Sequence, residues 1–147
     1  VSTTSMDSYC YGFDKSTGTI TNYYCYPGNS YGYETISDVE IPSNIDGVRV
    51  VTIGYQAFQN KNITSVIIPD TVITISNYAF LSNSTLTNVE ISQNVNSIGT
   101  GAFNGCSLPD DEAFIYARNS DGSEIKTNIV SYGGANKNPV IPEGVMN

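Results

Sequence analysis

The sequence predicts a repeat solenoid of the α/β type, built mostly from short β-strands and loops around a parallel sheet. A seven-residue pattern with apolar residues at positions 1, 4 and 6 begins at Ile36, Ile63 and Leu86, in steps of 27 and 23 residues. A period in this range is typical of repeat proteins, in which one unit cannot bury its own apolar residues and neighbours must stack. An isoleucine and then an Ala-Phe pair follow each copy: Ile53 with Ala57-Phe58, Ile75 with Ala79-Phe80, and Ile98 with Ala102-Phe103.

Positions 4 and 6 of each copy alternate with a residue of the opposite face, as in a short strand. In the first copy Val39 and Ile41 point inward and Glu40 points outward. Pro42 follows directly and ends the strand, because proline lacks the amide hydrogen for the next ladder bond. Strands that recur at this interval lie side by side and parallel, so we expect one sheet along the inside of the coil.

The Ala-Phe pair is expected to fill the opposite side of each turn. Alanine permits close approach of the backbone, and each phenylalanine stacks on that of the next turn. The first copy is longer, because residues 46–49 stand between its strand and Ile53. Asp46-Gly47 is a turn signal, so we predict a bulge on the surface there.

These motifs resemble the BspA-like, or treponemal-type, leucine-rich repeat. That pattern is L-x-x-V-x-I-P, then I-G-x-x-A-F, then a polar residue or cysteine, and residues 53–58 and 98–106 carry it most fully. The middle copy departs, with Ser76 in place of glycine. The resemblance covers residues 36–108 and implies a right-handed coil. It also implies a bacterial surface protein, since several relatives are adhesins or host-protein binders, and it carries no catalytic residues.

Residues 1–35 are predicted to form a β-hairpin that caps the first repeat, since repeat arrays need polar caps. Two strand-like runs flank the turn at residues 14–18. A turn centred on Thr17-Gly18 places Cys10 opposite Cys25, whereas a four-residue loop places Cys10 opposite Tyr23. A cross-strand disulfide is expected, because the composition indicates an extracellular protein. The alternative is that both cysteines are reduced and buried.

A tyrosine-rich loop connects this hairpin to the first repeat. Tyrosine is enriched at binding interfaces, so the loop is one candidate contact surface. The alternative is that these rings pack on the hairpin and the first repeat, since aromatic residues usually serve burial. The candidate aromatic patch consists of Tyr23, Tyr24, Tyr31 and Tyr33.

Residues 109–147 are predicted to contain a second hairpin, inserted before the repeat pattern resumes. Residues 113–117 and 125–132 are strand-like, and Asp121-Gly122 lies in the turn between them. Val140-Ile141-Pro142 resembles the start of a further, incomplete repeat. A strand begun there would leave an exposed edge, so we expect the natural protein to continue or the chain to be cut there.

The amino-acid composition argues against several classes of partner and of catalytic site. Fourteen acidic against six basic residues give a net charge of −8, which argues against nucleic acid and anionic membrane surfaces as partners. The absence of histidine removes the commonest general base and metal ligand. No apolar run approaches the ~20 residues that cross a bilayer. We expect a secreted or cell-surface protein with no cofactor, no metal and no membrane insertion.

The outward residues of the three predicted strands form a grid on the concave face, where such coils usually bind partners. The candidate partner-binding residues are Asp38, Glu40, Ser65, Ile67, Asn88 and Glu90. Glu40 and Glu90 are two strands apart, ~10 Å by strand spacing. That separation exceeds the ~5.5 Å of a retaining glycosidase pair, although it lies near the ~6.5–9.5 Å of an inverting pair.

Three further features are interpreted as structural. Cys106 occupies a position close to that of Asn83 and Asn60 in the earlier copies, so we expect it to be buried and inert. Residues 119–124 resemble part of a calcium loop but lack its terminal ligand, and Asp-Gly favours a turn. Residues 110–112 form an acidic cluster, which is most often solvated.

The favoured hypothesis is a non-enzymatic adhesion module that binds a host or matrix protein, or a glycan. A grid of this size covers a few hundred Å², less than the ~800 Å² per partner of a stable interface, so the fragment alone is expected to bind weakly. The alternative is a structural spacer in a larger surface or pilus-like protein. A carboxylate-based hydrolase ranks last, and the oligomeric state is left open.

Overall fold

The computed structural model describes residues 8–145, which form twelve β-strands and one 3-10 turn, Ser8–Cys10, without an α-helix in that range. Most strands are two to five residues long, as expected for a coil built largely from turns. The strands are β1 Tyr11–Asp14, β2 Thr19–Tyr23, β3 Asp38–Glu40, β4 Asn44–Ile45, β5 Val48–Arg49, β6 Thr52–Ile53, β7 Ser65–Ile68, β8 Thr74–Ile75, β9 Asn88–Ile91, β10 Ser97–Ile98, β11 Phe114–Arg118 and β12 Glu124–Tyr132.

The predicted parallel sheet is present and is here called the front sheet, with strand order β3-β7-β9. Val39 pairs with Val66, and Val66 with Val89, so equivalent residues of the three copies lie in rows. Val39 and Val66 are almost completely buried. The alternation read from the sequence therefore sets which face of the sheet meets the core.

A second sheet, the back sheet, was missed by the prediction of a single sheet. Its order is β1-β2-β6-β8-β10, and all pairs but β1–β2 are parallel. Ile20, Ile53, Ile75 and Ile98 are aligned across it and lie in the core. The isoleucine before each Ala-Phe pair is thus a strand residue. Its strands are only two residues long in the repeats, too short to show an alternating pattern.

The core runs along the coil as a column of aromatic rings, as predicted for the Ala-Phe pairs. Phe58 and Phe80 stack with ring centroids 5.0 Å apart, and Phe80 and Phe103 at 5.1 Å. Tyr23 adds a fourth ring, stacked on Phe58 at 5.0 Å. The N-terminal hairpin therefore continues the column as well as the back sheet.

Next to its turn, the N-terminal hairpin has the register predicted for a four-residue loop, in which Phe13 pairs with Ile20. A bulge between Gly12 and Phe13 shifts the pairing by one residue farther out. Cys10 and Cys25 lie beyond the paired strands and form the expected disulfide, with Cα atoms 5.0 Å apart. The alternative register, centred on Thr17-Gly18, is therefore wrong even though the disulfide forms.

The predicted surface bulge of the first copy is a small hairpin of its own, in which β4 pairs antiparallel with β5. Asp46 and Gly47 form its turn with φ of 50° and 82°. Two consecutive residues at positive φ are typical of the tight turn that best fits the twist of a two-stranded hairpin. The Asp-Gly signal was therefore correctly read as a turn.

The C-terminal hairpin pairs β11 with β12 and covers the last turn of the coil. The amide of Phe103 donates to Ser131 Oγ at 2.9 Å, and the amide of Leu108 donates to the carbonyl of Gly133 at 2.8 Å. The predicted resumption of the repeat is wrong for the described residues, since Val140 and Ile141 are 87% and 47% exposed and belong to no strand. The end of the hairpin takes the place of the next turn beside Leu108, which forms a parallel bridge with Gly134.

Candidate binding surfaces

The outer face of the front sheet carries the predicted grid in two rows. Ser65 lies between Asp38 and Asn88 in one row, and Ile67 lies between Glu40 and Glu90 in the other. All but Ser65, which is half-buried, are exposed. Ile67 is 40% exposed and separates the two glutamates. The two glutamates therefore lie on an open and exposed face of the sheet, on either side of Ile67.

Asp38 is held by its neighbours. Thr64 Oγ1 and Ser65 Oγ donate to its Oδ1 at 2.7 and 2.8 Å. These hydrogen bonds lower the pKa of Asp38, because they favour the charged form. A carboxylate that stays ionised and bonded in this way can accept a donor from a partner, but it is poorly suited to deliver a proton.

A second surface lies at the N-terminal end, where five tyrosine rings contact one another in a group called the tyrosine cluster. Its members are Tyr9, Tyr24, Tyr26, Tyr31 and Tyr33. Tyr31 is central: its ring centroid lies 5.4 Å from that of Tyr33, 5.4 Å from that of Tyr24 and 6.5 Å from that of Tyr26. Tyr9, Tyr31 and Tyr33 are 47%, 53% and 38% exposed.

Tyr23 does not belong to this surface, contrary to the sequence-based prediction. It is fully buried, and its hydroxyl donates to the carbonyl of Ile36 at 2.8 Å. The bulge leaves Thr21 as an extra residue between Ile20 and Asn22, so Ile20 and Tyr23 are both buried although they are three residues apart. The neighbouring Tyr24 contacts Tyr31 in the cluster. Tyr9 and Tyr26 were not predicted. The disulfide at the adjacent Cys10 brings Tyr9 to the loop, and this closure was the available signal.

One side chain organises the loop that bears the cluster. The amide nitrogen of Asn29 donates to the carbonyls of Tyr26, Tyr33 and Glu34, at 2.9, 3.3 and 3.2 Å. Its amide oxygen accepts from the backbone N–H groups of Tyr31 and Tyr33, at 3.1 and 3.3 Å. A single asparagine thus bonds the backbone on both sides of the two most central rings.

The loop is also attached to the first repeat. Lys61 Nζ lies 4.3 Å from the centre of the Tyr26 ring, and Asn62 donates from its side chain to the carbonyl of Pro27 at 3.2 Å. Burial lowers the pKa of Lys61, because its ammonium is partly removed from water. The lysine therefore serves to attach the loop to the repeat through the ring of Tyr26.

Lys61 also corrects the predicted alignment of the position that Cys106 and Asn83 share in successive turns. Asn83 and Cys106 each lie three residues after the phenylalanine of their turn, and both are buried. The residue at this offset in the first turn is Lys61, whereas the predicted Asn60 is exposed. Asn83 donates to the carbonyls of Phe58 and Phe80, at 2.7 and 2.9 Å, and so bonds two successive turns.

Cys106 is 3% exposed, and burial raises the pKa of its thiol to about 12. Its Sγ donates to the carbonyl of Phe80 at 3.4 Å. A thiol that stays protonated is a poor nucleophile. The burial of Cys106 agrees with the sequence, and a purely structural role for it stays a prediction.

The remaining clusters of ligand-type side chains have other roles. Cys10, Cys25 and Glu34 lie close together, but the two sulfurs are joined in the disulfide and cannot act as thiolate ligands. Asp121 accepts from the backbone N–H and the hydroxyl of Ser123, at 2.9 and 2.6 Å, which lowers its pKa and fixes the hairpin turn. The acidic residues 110–112 are exposed, as predicted.

The family model of the BspA-type leucine-rich repeat region matches residues 22–121, in six copies. The chain belongs to the BspA-type leucine-rich repeat family. The match begins within β2 and ends in the turn between β11 and β12, so it extends beyond the three copies read from the sequence. No curated protein matches the chain. The domain boundaries at residues 35 and 108 stay predictions.

Solved structures of bacterial leucine-rich repeat proteins are similar to this chain. A leucine-rich repeat protein of T. pallidum is 26% identical with a TM-score of 0.50, over 65% of this chain and 42% of its own. One from Bacteroides capillosus is 29% identical with a TM-score of 0.45, over 60% of this chain and 66% of its own. This chain therefore spans less than half the length of the T. pallidum protein.

The BspA-type repeats carry the front sheet, the aromatic column and most of the tyrosine cluster. Tyr24, Tyr26, Tyr31 and Tyr33 lie within the matched residues, and Tyr9 precedes them. Among the described residues, no helix has the length and apolar character needed to cross a membrane.

Proposed function

We propose that this BspA-type repeat protein is a non-enzymatic adhesion module at the bacterial cell surface, and that the tyrosine cluster contacts its protein or glycan partner. The observation that carries the proposal is the group of mutually packed rings, three of them more than a third exposed. An exposed apolar patch of this kind costs solubility and usually marks an interaction site.

The chemistry of tyrosine suits this role. A tyrosine ring offers a large contact area with few rotatable bonds, so little conformational entropy is lost on binding. Its hydroxyl adds a hydrogen bond at the edge of the contact. Ring faces stack equally well on the apolar face of a sugar or on a side chain, which is compatible with either partner class.

The loop is ordered before any partner arrives. Asn29 fixes the backbone of Tyr31 and Tyr33, and ring contacts hold the side chains. Ordering each rotamer-rich side chain on binding costs about 0.5–1.5 kcal/mol. A loop that is already ordered avoids much of this cost, which supports a binding role over a merely solvated segment.

The front sheet is proposed as a secondary contact. Its three strands are ~4.8 Å apart, so its outer face spans only a few hundred Å². Stable complexes bury ~800 Å² per partner. Contact through Asp38, Glu40 and Glu90 alone would therefore be weak, and it gains strength when combined with the tyrosine cluster or with further repeats.

An extracellular location is part of the proposal. The disulfide closes a loop with a sequence separation of 15, and a loop of about this size gains about 3 kcal/mol in the chain-entropy model. Disulfides persist in oxidising compartments and are rare in the cytosol. The fold therefore depends on a bond that suits secretion or surface display.

A structural spacer is the second candidate. The aromatic column from Tyr23 to Phe103 runs without interruption through the repeats, and this chain covers only 42% of the T. pallidum protein. Continuous stacking suits a stiff rod. A spacer requires no contact surface, however, and so does not account for an ordered, exposed tyrosine cluster.

The experiment measures binding of the chain to a panel of immobilised glycans, matrix proteins and plasma proteins. The test variant is Tyr31→Ser with Tyr33→Ser. The matched control is Tyr55→Ser, which removes an exposed ring that lies outside the cluster and is 61% exposed. Saturable binding that is lost in the double variant and kept in the control supports adhesion. The spacer is supported if none of the three proteins shows concentration-dependent binding.

A further inference from the structure

The front sheet ends in an open edge at β9. Within residues 8–145, β9 pairs with β7 on one side and with no strand on the other. Its inward residues Val89 and Ile91 are half-buried, unlike their equivalents in the other two strands. Those equivalents are at most 3% exposed: Val39 at 2%, Ile41 at 2%, Val66 at 1% and Ile68 at 3%. β3 is the other edge strand of this sheet, but its inward residues are buried, so the β9 edge is the more open of the two.

The backbone of this edge is directed toward the missing neighbour. The amide of Ile41 donates to the carbonyl of Ile67, so the alternate residue Val66 faces β9. Val66 is in register with Val89, and a parallel ladder bonds to the residues on either side of the partner. The N–H and C=O groups of Val89 and Ile91 therefore face outward.

A cleft of about 270 Å³ lies along this edge, here called the edge groove. The C-terminal hairpin forms its far wall, so the groove separates β9 from the element that covers the last turn. Its apolar lining consists of Val89, Ile91, Leu108, Phe114, Ile115 and Tyr116. β9 has four residues and spans ~13 Å at ~3.3 Å per residue, which sets the length of segment that fits.

Arg118 marks the end of the available edge. Its Nη1 donates to the carbonyls of Ser92 and Val95, both at 2.9 Å. Ser92 follows β9 directly, so the first carbonyl beyond the strand is already bonded. The unpaired stretch is confined to β9 itself, beside the groove.

The groove is acidic. Asp111, Glu112 and Glu124 line it, and Lys126 is the single cation among its lining residues. Lys126 forms an ion pair with Glu124 at 3.0 Å, and its Nζ lies 4.6 Å from the centre of the Tyr116 ring. Its charge is therefore already paired within the groove. Two exposed carboxylates, those of Asp111 and Glu112, are left to meet a cation.

We propose that the edge groove binds an extended segment of another protein by strand addition to β9. The segment has about four residues, with apolar side chains at alternate positions and a lysine or arginine that faces Asp111 and Glu112. Main-chain bonds supply affinity in this mode and the alternating side chains supply specificity. A second copy of this chain is a poor occupant, because two chains of net charge −8 repel each other.

The test measures binding of a fluorescein-labelled peptide, Thr-Ser-Val-Lys-Ile-Lys capped at both ends, by fluorescence anisotropy. Its matched control is Thr-Ser-Val-Glu-Ile-Glu, and a third peptide carries N-methyl groups on alternate amides. The protein variants are Asp111→Lys with Glu112→Lys, and the control Asp70→Lys with Glu143→Lys, all four of which are exposed positions. Sedimentation velocity on each protein reports self-association.

The basic peptide is expected to bind with a Kd of roughly 10–300 μM. The Asp111→Lys, Glu112→Lys variant should weaken it by about tenfold or more, since close charge pairs in an interface contribute at this level. The control variant and the Tyr31→Ser, Tyr33→Ser protein should bind unchanged, which separates the groove from the tyrosine cluster.

Three results would each overturn the proposal. One is the absence of saturation up to about 1 mM basic peptide, beyond the range of useful affinity. Another is equal binding of the acidic or N-methylated peptide, which would exclude charge pairing or main-chain bonding. The third is a dimer that the Asp111→Lys, Glu112→Lys change alters, which would make a second copy the occupant.

Discussion

Phe80 and Phe103 lie face to face, with ring centroids 5.1 Å apart and ring planes 2° from parallel. Both are fully buried, and the amide of Phe80 donates to the carbonyl of Ala102 at 2.8 Å. The same residue thus joins two turns by its ring and by its backbone. Each turn of the repeat is stabilised mainly by its neighbours, as expected in a solenoid.

Replacing Phe80 with alanine should lower the free energy of unfolding by about 3–5 kcal/mol, because the central ring of the column leaves a cavity. Phe80→Leu retains most of the volume and should cost about 1.5 kcal/mol or less. Urea denaturation followed by circular dichroism measures both. A cost for Phe80→Ala no greater than that for Phe80→Leu would contradict the role of the column.

Gly122 holds the turn of the C-terminal hairpin against the third repeat. It has φ of 86°, and a Cβ there would collide with the carbonyl oxygen of Gln93. Gly47 is a matched control, with φ of 82° and no atom within 4 Å of the position that a Cβ would take. Both alanine variants carry the ~1–2 kcal/mol cost of a left-handed L-residue.

Gly122→Ala should therefore be the more destabilising of the two, since it also displaces the turn from Gln93. Thermal unfolding of the two variants measures the difference directly. Equal losses would mean that the contact between the hairpin turn and the third repeat contributes nothing to stability.

Cys106 predicts a dependence of stability on alkaline pH. Burial raises the pKa of its thiol from 9.0 to about 12 in the folded chain. The protonated thiol is favoured by folding, so its contribution is fully present below the unfolded pKa and is lost as pH rises from about 9 toward 12. The free energy of unfolding should fall more steeply over this range in the wild type than in Cys106→Ala.

All other side chains are common to both proteins, so their contributions cancel in that comparison. Alkylation gives an independent readout: iodoacetamide at pH 8 should label Cys106 slowly in the folded protein and rapidly in urea. Fast labelling of the folded chain would show that the thiol is accessible.

The repeat was readable from sequence because its signal is periodic. The row formed by Val39, Val66 and Val89 and the column of phenylalanines each recur at one position per copy, and stacking leaves them little alternative. The back sheet was not readable in this way. Its repeat strands have two residues each, so their pairing is decided by the neighbouring turns.

The candidate surfaces were predicted less well than the fold. Ser65 and Glu90 were placed correctly on the front sheet, because strand alternation determines their side. Tyr23 was placed wrongly, because a bulge shifts the register of the hairpin and no periodic pattern reveals it. The edge groove depends on the position of the C-terminal hairpin, which is a long-range contact without a local signal.

The most direct test of the proposed function is the dissociation constant for one partner from the immobilised panel, measured with wild type and with Asn29→Ala. This change keeps every ring of the tyrosine cluster but removes the side chain that orders their loop. We predict a Kd about tenfold weaker, with the stacked core intact by thermal unfolding, because ordering the loop then opposes binding. An unchanged Kd for Asn29→Ala, together with an unchanged Kd for Tyr31→Ser with Tyr33→Ser, would contradict the account.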